Sequence, residues 1–363
     1  VYADPADFRF TLFITAASPS FGAQGTVTIP GMGFSTDWSV EANSSTTVDI
    51  PVSSMAQFSD LVQNKGIHIV SDDNDVTVKF LSHRLFSSDS FTAIPTTSIG
   101  TDYRVMSWGN VGAINGSEFA IVATEDGTIV SITPESTYNP SPEEPWASQR
   151  IAGQTYTIEL QKGDVYQLIN SNDIGIDLTG TLIHANHPIS VLSGHSGANI
   201  PSGYVAANFI VEQMRPIAEW GTSYLTVPFA TRLGGDTIRI LAHADDTVVH
   251  MNGVQLVTLQ AGEFYETIRT TATEFTSNLP VLVAQFSNSL AWENPDIDTF
   301  HPGSGDPSML LVTPTSNFSS RFSVTVPWYQ PNGDSEFEIN NFANSFVNLI
   351  VPTSAVGTIR MNG

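Results

Sequence analysis

The sequence predicts an all-β protein, and three observations carry that prediction. Short alternating or β-branched runs are punctuated by Gly, Pro, Asn and Asp about every eight to twelve residues. No stretch sustains a helical period, and Phe209–Trp220 alone could hold a single helical turn. One set of landmarks also recurs along the chain in a fixed order, which marks a repeat architecture.

The strand-like runs are Phe8–Ile14, Val76–Leu81, Phe119–Ala123, Thr155–Leu160, Ile238–Ala242 and Val281–Phe286. Each has the period-two or continuous apolar pattern of a half-buried or buried strand. The repeat links them. Thr128-Ile-Val-Ser-Ile-Thr-Pro134 matches Thr247-Val-Val-His-Met-Asn-Gly253 and Gly357-Thr-Ile-Arg-Met-Asn-Gly363, and Thr26-Val-Thr-Ile-Pro30 fits the same slot. Thr157-Ile-Glu-Leu-Gln-Lys-Gly163 parallels Val257-Thr-Leu-Gln-Ala-Gly262, and Asp75-Val-Thr-Val78 aligns with Pro188-Ile-Ser-Val191 and Pro280-Val-Leu-Val283. Gly100-Thr-Asp-Tyr-Arg-Val105, Gly221-Thr-Ser-Tyr-Leu-Thr226 and Ser319-Ser-Arg-Phe-Ser-Val324 close the series.

The chain therefore reads as one repeat-built domain over residues 1–363, with units at 8–116, 117–235 and 236–344 and the start of a fourth at 345–363. The fourth stops at its matched turn, so the natural chain is expected to continue. Paired hairpins in each unit predict about six small antiparallel sheets. These could close as a β-propeller-like ring or stand as tandem β-sandwiches. The ring is favoured because the joins at Gly109–Glu118 and Thr231–Asp236 are only loops, and because Phe346–Val351 and Thr358–Met361 could pair beside the N-terminal strand.

Composition bounds the function. The 363 residues are 41% hydrophobic and 13% charged, with 36 acids against 13 Lys and Arg and a net charge of −23. Nucleic acid is excluded as a partner, since phosphate binding needs a cationic surface. Anionic membrane is disfavoured for the same reason, and no apolar run reaches the roughly 18 residues of a membrane span. Val1 opens on polar sequence, so any signal peptide is expected to have been removed. Cysteine is absent, which rules out disulfides and thiolate metal sites. Acidity, scarce lysine and abundant Ser, Thr, Gly and Asn look like an exported bacterial surface protein.

Phe119-Ala-Ile-Val-Ala-Thr-Glu-Asp-Gly127, Leu178-Thr-Gly180, Pro188-Ile-Ser-Val-Leu-Ser-Gly-His195, Val211-Glu-Gln-Met-Arg-Pro216 and Trp220-Gly-Thr222 occur in that order. In this the chain resembles the IgGFc-binding protein N-terminal domain family, in its bacterial surface-protein branch, most densely between residues 65 and 260. The resemblance implies an extracellular, non-catalytic binding module, often one part of a larger modular or adhesive protein. Mucus members carry cysteines after the Ser-Gly-His motif and before the Glu-Gln motif. Here those places read Ser196-Gly-Ala-Asn-Ile-Pro201 and Ala206-Ala-Asn208. No residues for Fc binding transfer to this chain.

Long loops follow three aligned strand exits at Ser82, His195 and Ser287: Arg84–Pro95, Ser196–Asn208 and Asn288–Ser308. Such loops usually carry function. His83, Arg84, His195, Asn199, Tyr204, Asn288 and Trp292 are the expected ligand contacts, on a cell-surface protein or glycan. The plainer reading of His195 is a side chain bonded to backbone at a recurring bend. Tyr204, Trp292 and Trp146 could stack on sugars or plug local cores.

Acidic clusters at Asp72-Asp-Asn-Asp75, Asp173 with Asp177, and Asp245-Asp246 suit hairpin turns as well as they suit a cation. Asp296 and Asp298, with Asp306, offer the best oxygen ligands for calcium. No nucleophile elbow, His-Glu-x-x-His motif or phosphate loop is present, so no enzyme is predicted. His184 and His187 are read as flanking a hairpin turn at Ala185-Asn186. The function expected is an extracellular adhesion module. A secreted enzyme acting on polysaccharide or peptide, and a structural spacer, are the alternatives.

Overall fold

The computed structural model describes residues 8–84, 87–110, 116–170, 174–293, 305–320, 322 and 345–360. Some strands alternate buried with exposed or half-buried residues, others are buried on both faces, and together they assemble into two-layered sandwiches placed in tandem. The first holds β1 (Arg9–Ala16), β2 (Ala23–Ile29), β3 (Phe34–Val40), β4 (Ser45–Ile50), β6 (His68–Ser71), β7 (Val76–Arg84) and β8 (Ser87–Thr92), while β5 (Leu61–Gln63), between β4 and β6 in the chain, joins the sheet of the second. The layers of the first run β4-β1-β7-β8 and β3-β2-β6, with Leu12, Ile14, Val27, Ile29 and Trp38 packed between them.

The second holds β9 (Gly100–Arg104), β10 (Ser117–Ala123), β11 (Thr128–Thr133), β12 (Tyr156–Leu160), β13 (Val165–Asn170), β14 (Leu182–Ala198) and β15 (Asn208–Gln213). The third holds β16 (Gly221–Thr226), β17 (Asp236–Ala242), β18 (Thr247–Met251), β19 (Val254–Leu259), β20 (Phe264–Arg269), β21 (Thr273–Ser287) and β22 (Ser308–Leu311). In each, one long strand belongs to both layers. The N-terminal part of β14 pairs with β11 and β9, and its C-terminal part pairs with β10 and β15. In the same way β21 pairs first with β18 and β16, then with β17 and β22.

This overturns the propeller-like ring of six sheets. The described residues form four sheets, two of them folded over because a single strand crosses from layer to layer. A propeller blade closes on its own hairpins, and here the chain does not turn back at Ala185-Asn186. The strand runs unbroken from Leu182 to Ala198, with pairing up to Ala185 and again from Ile189, so His184 and His187 lie along one strand and no hairpin turn separates them. Ring closure also fails. Both sides of β1 are occupied, by β4 and β7, while 345–350 forms no strand and Thr353–Thr358 is a 3₁₀ helix. Within Phe209–Trp220 the helical turn is a 3₁₀ turn at Ile217–Glu219.

Two local devices hold the layer crossing. Tyr103 donates to the carbonyl of Ile189 at 2.8 Å and accepts from the Gly100 amide. Tyr224 does the same with Val281 and Gly221. This explains the Gly-Thr-x-Tyr landmark, and it assigns Gly100–Arg104 to the second sandwich, since β9 pairs with β14. At the corner itself, Asn186 accepts from Ile129 N at 2.7 Å and donates to Gly127 O, and Asn278 accepts from Val248 N at 2.7 Å and donates to Asp246 O.

The sandwiches lock together without disulfides. Gly66 donates to Gly163 O at 2.8 Å, and a Cβ at Gly180 would stand 2.4 Å from Gly262 O, so each of these turns accepts only a glycine neighbour. A strap from the first sandwich crosses to the second: β5 pairs with β13, and Asp60 takes Arg150 in a bidentate pair at 2.9–3.1 Å and accepts from Tyr166. Between the second and third, Arg239 (4% exposed) donates to Ser107 O and Asp177, pairs with Glu266, and stacks 3.8 Å over Trp108. One apolar core accordingly runs from Tyr103 through Trp108 to Phe286 and Leu311.

Candidate ligand-binding surface

The aligned exits occupy matching pairing positions. Ser82 on β7 lies opposite Phe10 and Asp89, His195 on β14 opposite Ser117 and Ile210, and Ser287 on β21 opposite Ser308. All three are buried. The imidazole of His195 accepts from Gly197 N on Nδ1 at 3.0 Å, so its Nε2 proton donates to Asn110 Oδ1 at 3.0 Å. Burial depresses its pKa to about 4, with Asp177 opposing. Asn288 donates to Gly235 O and accepts from Thr237 at 2.7 Å each. His195 and Asn288 therefore brace bends and present nothing to a ligand from the outside.

The remaining predicted contacts divide. Half of Arg84–Pro95 is strand β8 and Arg84 ends β7, so the described residues there form no long loop. His83 and Arg84 sit half-buried on β7, with the Arg84 guanidinium 5.1 Å from the Phe8 ring centroid. Trp146 packs edge-on against Phe58 at 5.2 Å and donates to Ser59 O, which ties it into the strap. Asn199 is half-buried.

Tyr204 and Trp292, from different loops and different sandwiches, do come together. Their rings meet edge to face at 4.8 Å and 82°, a geometry that contributes about 0.5–1.5 kcal/mol beyond area burial. Loop 199–207 is anchored by reciprocal bonds between Ile200 and Ser289, and Trp292 stands on the single helical turn Leu290–Glu293. Its indole donates to Gly234 O at 3.0 Å, while Glu293 accepts from the amides of Leu233 and Gly234. Leu233, held by its amide next to the gripped Gly234, is 90% exposed, and on the Tyr204 side of the ring contact Tyr204 is 40% and Val205 56% exposed.

Beneath this apolar surface lie Arg232, Asp236, Glu293 and Asp306. Burial lowers the Arg232 pKa and raises those of Asp236 and Asp306, with their mutual fields opposing. Arg232 Nη1, Asp236 Oδ1 and Glu293 Oε1 are buried without a hydrogen-bond partner. Sequence reading found Tyr204 and Trp292 but missed Leu233 and Val205. Leu233 sits in a Thr-Arg-Leu-Gly-Gly turn, and an isolated apolar residue between turn formers was the only signal.

Asp296 and Asp298 lie outside the described residues. Asp306 contributes its carbonyl, not its carboxylate, to Ser287 and Arg232. Among the described residues no three His, Cys, Asp or Glu side chains gather as metal ligands. Two other acidic clusters serve backbone: Asp73 accepts from Gln24 N and Asn74 N, and Asp245 accepts from Ala261 N. Asp177 holds Arg239, and Asp173 lies outside the description. No helix among the described residues is long and apolar enough to cross a membrane.

A family model described as IgGFc binding protein matches residues 89–363, well over half of the chain. A human protein named IgGFc-binding protein is 29% identical over 202 residues, which are 54% of this chain and 4% of that protein. The chain thus spans a small part of the curated relative's length.

Proposed function

The chain belongs to the IgGFc-binding protein family, and from that premise we propose that it is a non-catalytic extracellular module that binds a cell-surface protein or glycan through the Tyr204–Trp292–Leu233 surface. One observation carries the reading: loops of two sandwiches meet in a fixed aromatic pair whose Trp292–Glu293 turn also grips the backbone at the 90%-exposed Leu233. Exposed apolar patches with ordered polar support mark recognition sites more often than chance surface. The acidic, cysteine-free composition supports a bacterial surface origin, and the short span of the human relative supports a larger parent protein. The tyrosine bond and asparagine clamp shared by the second and third sandwiches, with the first sandwich's own grip from Asp73 and Asn74 on the adjacent chain, support repeated copies of one unit within a single repeat-built domain.

The test is capture from a glycan array and a panel of surface proteins, with and without calcium. Leu233→Glu should abolish capture while leaving the Tm unchanged, and Tyr204→Ala should abolish it with only the small Tm loss of its ring contact to Trp292. Capture that survives both substitutions would remove the surface from the argument. Calcium, with Asp296 and Asp298 as its ligands and Asp306 beside them, is proposed only as an aid to this binding, and a chelator should then weaken it.

A spacer reading is favoured by a different observation. His195, Asn288 and the exits at Ser82 and Ser287 are spent on internal bonds, and the sandwiches are locked at every junction. Absence of capture under both calcium conditions would leave the chain as a rigid spacer.

A further inference from the structure

β8, β15 and β22 come from three different sandwiches and meet at one place. They do not join as a ladder there. Side chains satisfy the strand edges instead. Asn208 accepts from Ser87 Oγ at 2.6 Å and Ser88 N at 3.0 Å, and donates to Ser88 O and Pro307 O at 2.8 and 2.7 Å. Asp89 takes Ser90 N on one oxygen at 2.8 Å, and Val211 N and Met309 N on the other at 3.0 and 3.3 Å. One buried carboxylate thus ties a strand from each sandwich.

The charges around it are unequal. Lys79 on β7 and Glu212 on β15 lie nearest, with Arg215 just beyond β15, His83 and Arg84 further along β7, and no charged residue on β22. Burial raises the pKa of Asp89 to about 7 against the pull of its three amides, which favour the carboxylate, and raises that of Glu212 well above its ordinary value, with the Asp89 charge adding to the effect and the Leu311 amide opposing it. Lys79 is itself partly desolvated, and its pKa is lowered. Two carboxylates from two sandwiches therefore share a site with too little positive charge for both to ionise at low cost.

We propose that this meeting of β8, β15 and β22 is a pH-responsive lock, closed while the Asp89–Glu212 pair holds a proton and loosened when solvent base removes it and both carboxylates repel across the junction. A carboxyl whose folded pKa stands above its unfolded one binds more protons when folded. Its contribution is fully present below the unfolded value and is lost as pH rises through the folded one.

The experiment follows the whole chain from pH 6.5 to pH 9, where folded His195 is neutral, and each variant is read against wild type so that the unfolded imidazole's titration near 6.5 cancels. Melting and hydrogen exchange at the Val211 and Met309 amides are read together. The wild-type Tm should fall by roughly 3 °C or more, and both amides should lose protection beyond what base catalysis gives every amide. Glu212→Gln should hold the Val211 and Met309 amides near their pH 6.5 protection and shrink the fall in Tm, the remaining fall belonging to Glu118. Glu118, raised to about 8 by burial, titrates in the same window without acting on either partner. Glu118→Gln should therefore change the Tm profile but leave the two amides as in wild type. A Glu212→Gln chain whose amides lose protection as steeply as wild type would overturn the lock.

Discussion

The second and third sandwiches carry both layers on one unbroken strand, whereas the first splits the same path into β6 and β7. In β14 the corner stays extended because Asn186 clamps Ile129 and Gly127 while Tyr103 holds the Ile189 carbonyl. In the first sandwich the corresponding corner is Asp72-Asp-Asn74, a turn that bonds to itself through Asp73 to Asn74 N and Ser71 to Asn74 O. It still reaches the neighbouring strand, through Gln24 N to Asp73 and Asn74 to Gly22 O. Continuity of the strand is thus dispensable, while the grip on the adjacent strand is kept in all three. The fold is specified by what the corner holds, not by whether the backbone pauses there.

The comparison can be broken at its junctions first. Arg239→Ala should cost about 3–5 kcal/mol in chemical denaturation, because it strands Asp177 and Glu266 beside an emptied aromatic slot. Asp60→Ala, at the more open junction of the first and second sandwiches, should cost less, since Arg150 can turn to solvent.

Acid offers the next contrast. His195 stands where the other sandwiches have Ser82 and Ser287, and its folded pKa of about 4 lies below the unfolded 6.5. The unfolded chain takes up more protons between those values, so this stability is held above pH 6.5 and lost as pH falls toward 4, on the order of 3 kcal/mol. Asp89 trends oppositely in that range, so the quantity to read is the difference between wild type and His195→Gln. Exchange near Gly197 should rise in acid in the second sandwich before it does at the matching bends of the others.

Tyr224→Phe and Tyr103→Phe should each cost about 1–2 kcal/mol, leaving Val281 O or Ile189 O unsatisfied at the layer crossing. Equal losses in thermal melts would show that the two crossings are equivalent. The smallest effects belong to the corner clamps. Asn186→Ala should cost about 1 kcal/mol, and Asp73→Ala less, because the Asp73 contact to Gln24 N is exposed and 3.2 Å long.

Strand content was legible because period-two burial follows from the pleat, as β10 and β11 illustrate. The order of landmarks was legible too, since Gly-Thr-x-Tyr marks a specific bond. The layer crossing was not. Ala185-Asn186-His187-Pro188 has turn composition, and nothing in residue identity says that Asn186 bonds a neighbouring strand rather than its own turn. At the surface, Tyr204 and Trp292 could be suspected from loop length, but their contact joins residues far apart in sequence. His195 and Asn288 misled as ligand contacts, because a conspicuous polar residue at a strand exit serves equally well as an internal brace.

The strap has a practical consequence for dissecting the molecule. The matched family region begins at Asp89, after β5. A fragment begun there would bare the outer edge of β13 and remove the Asp60 carboxylate from Arg150 and Tyr166. An uncapped edge of this kind recruits foreign strands, so such a truncation should precipitate or self-associate, while one begun ahead of β1 stays monodisperse.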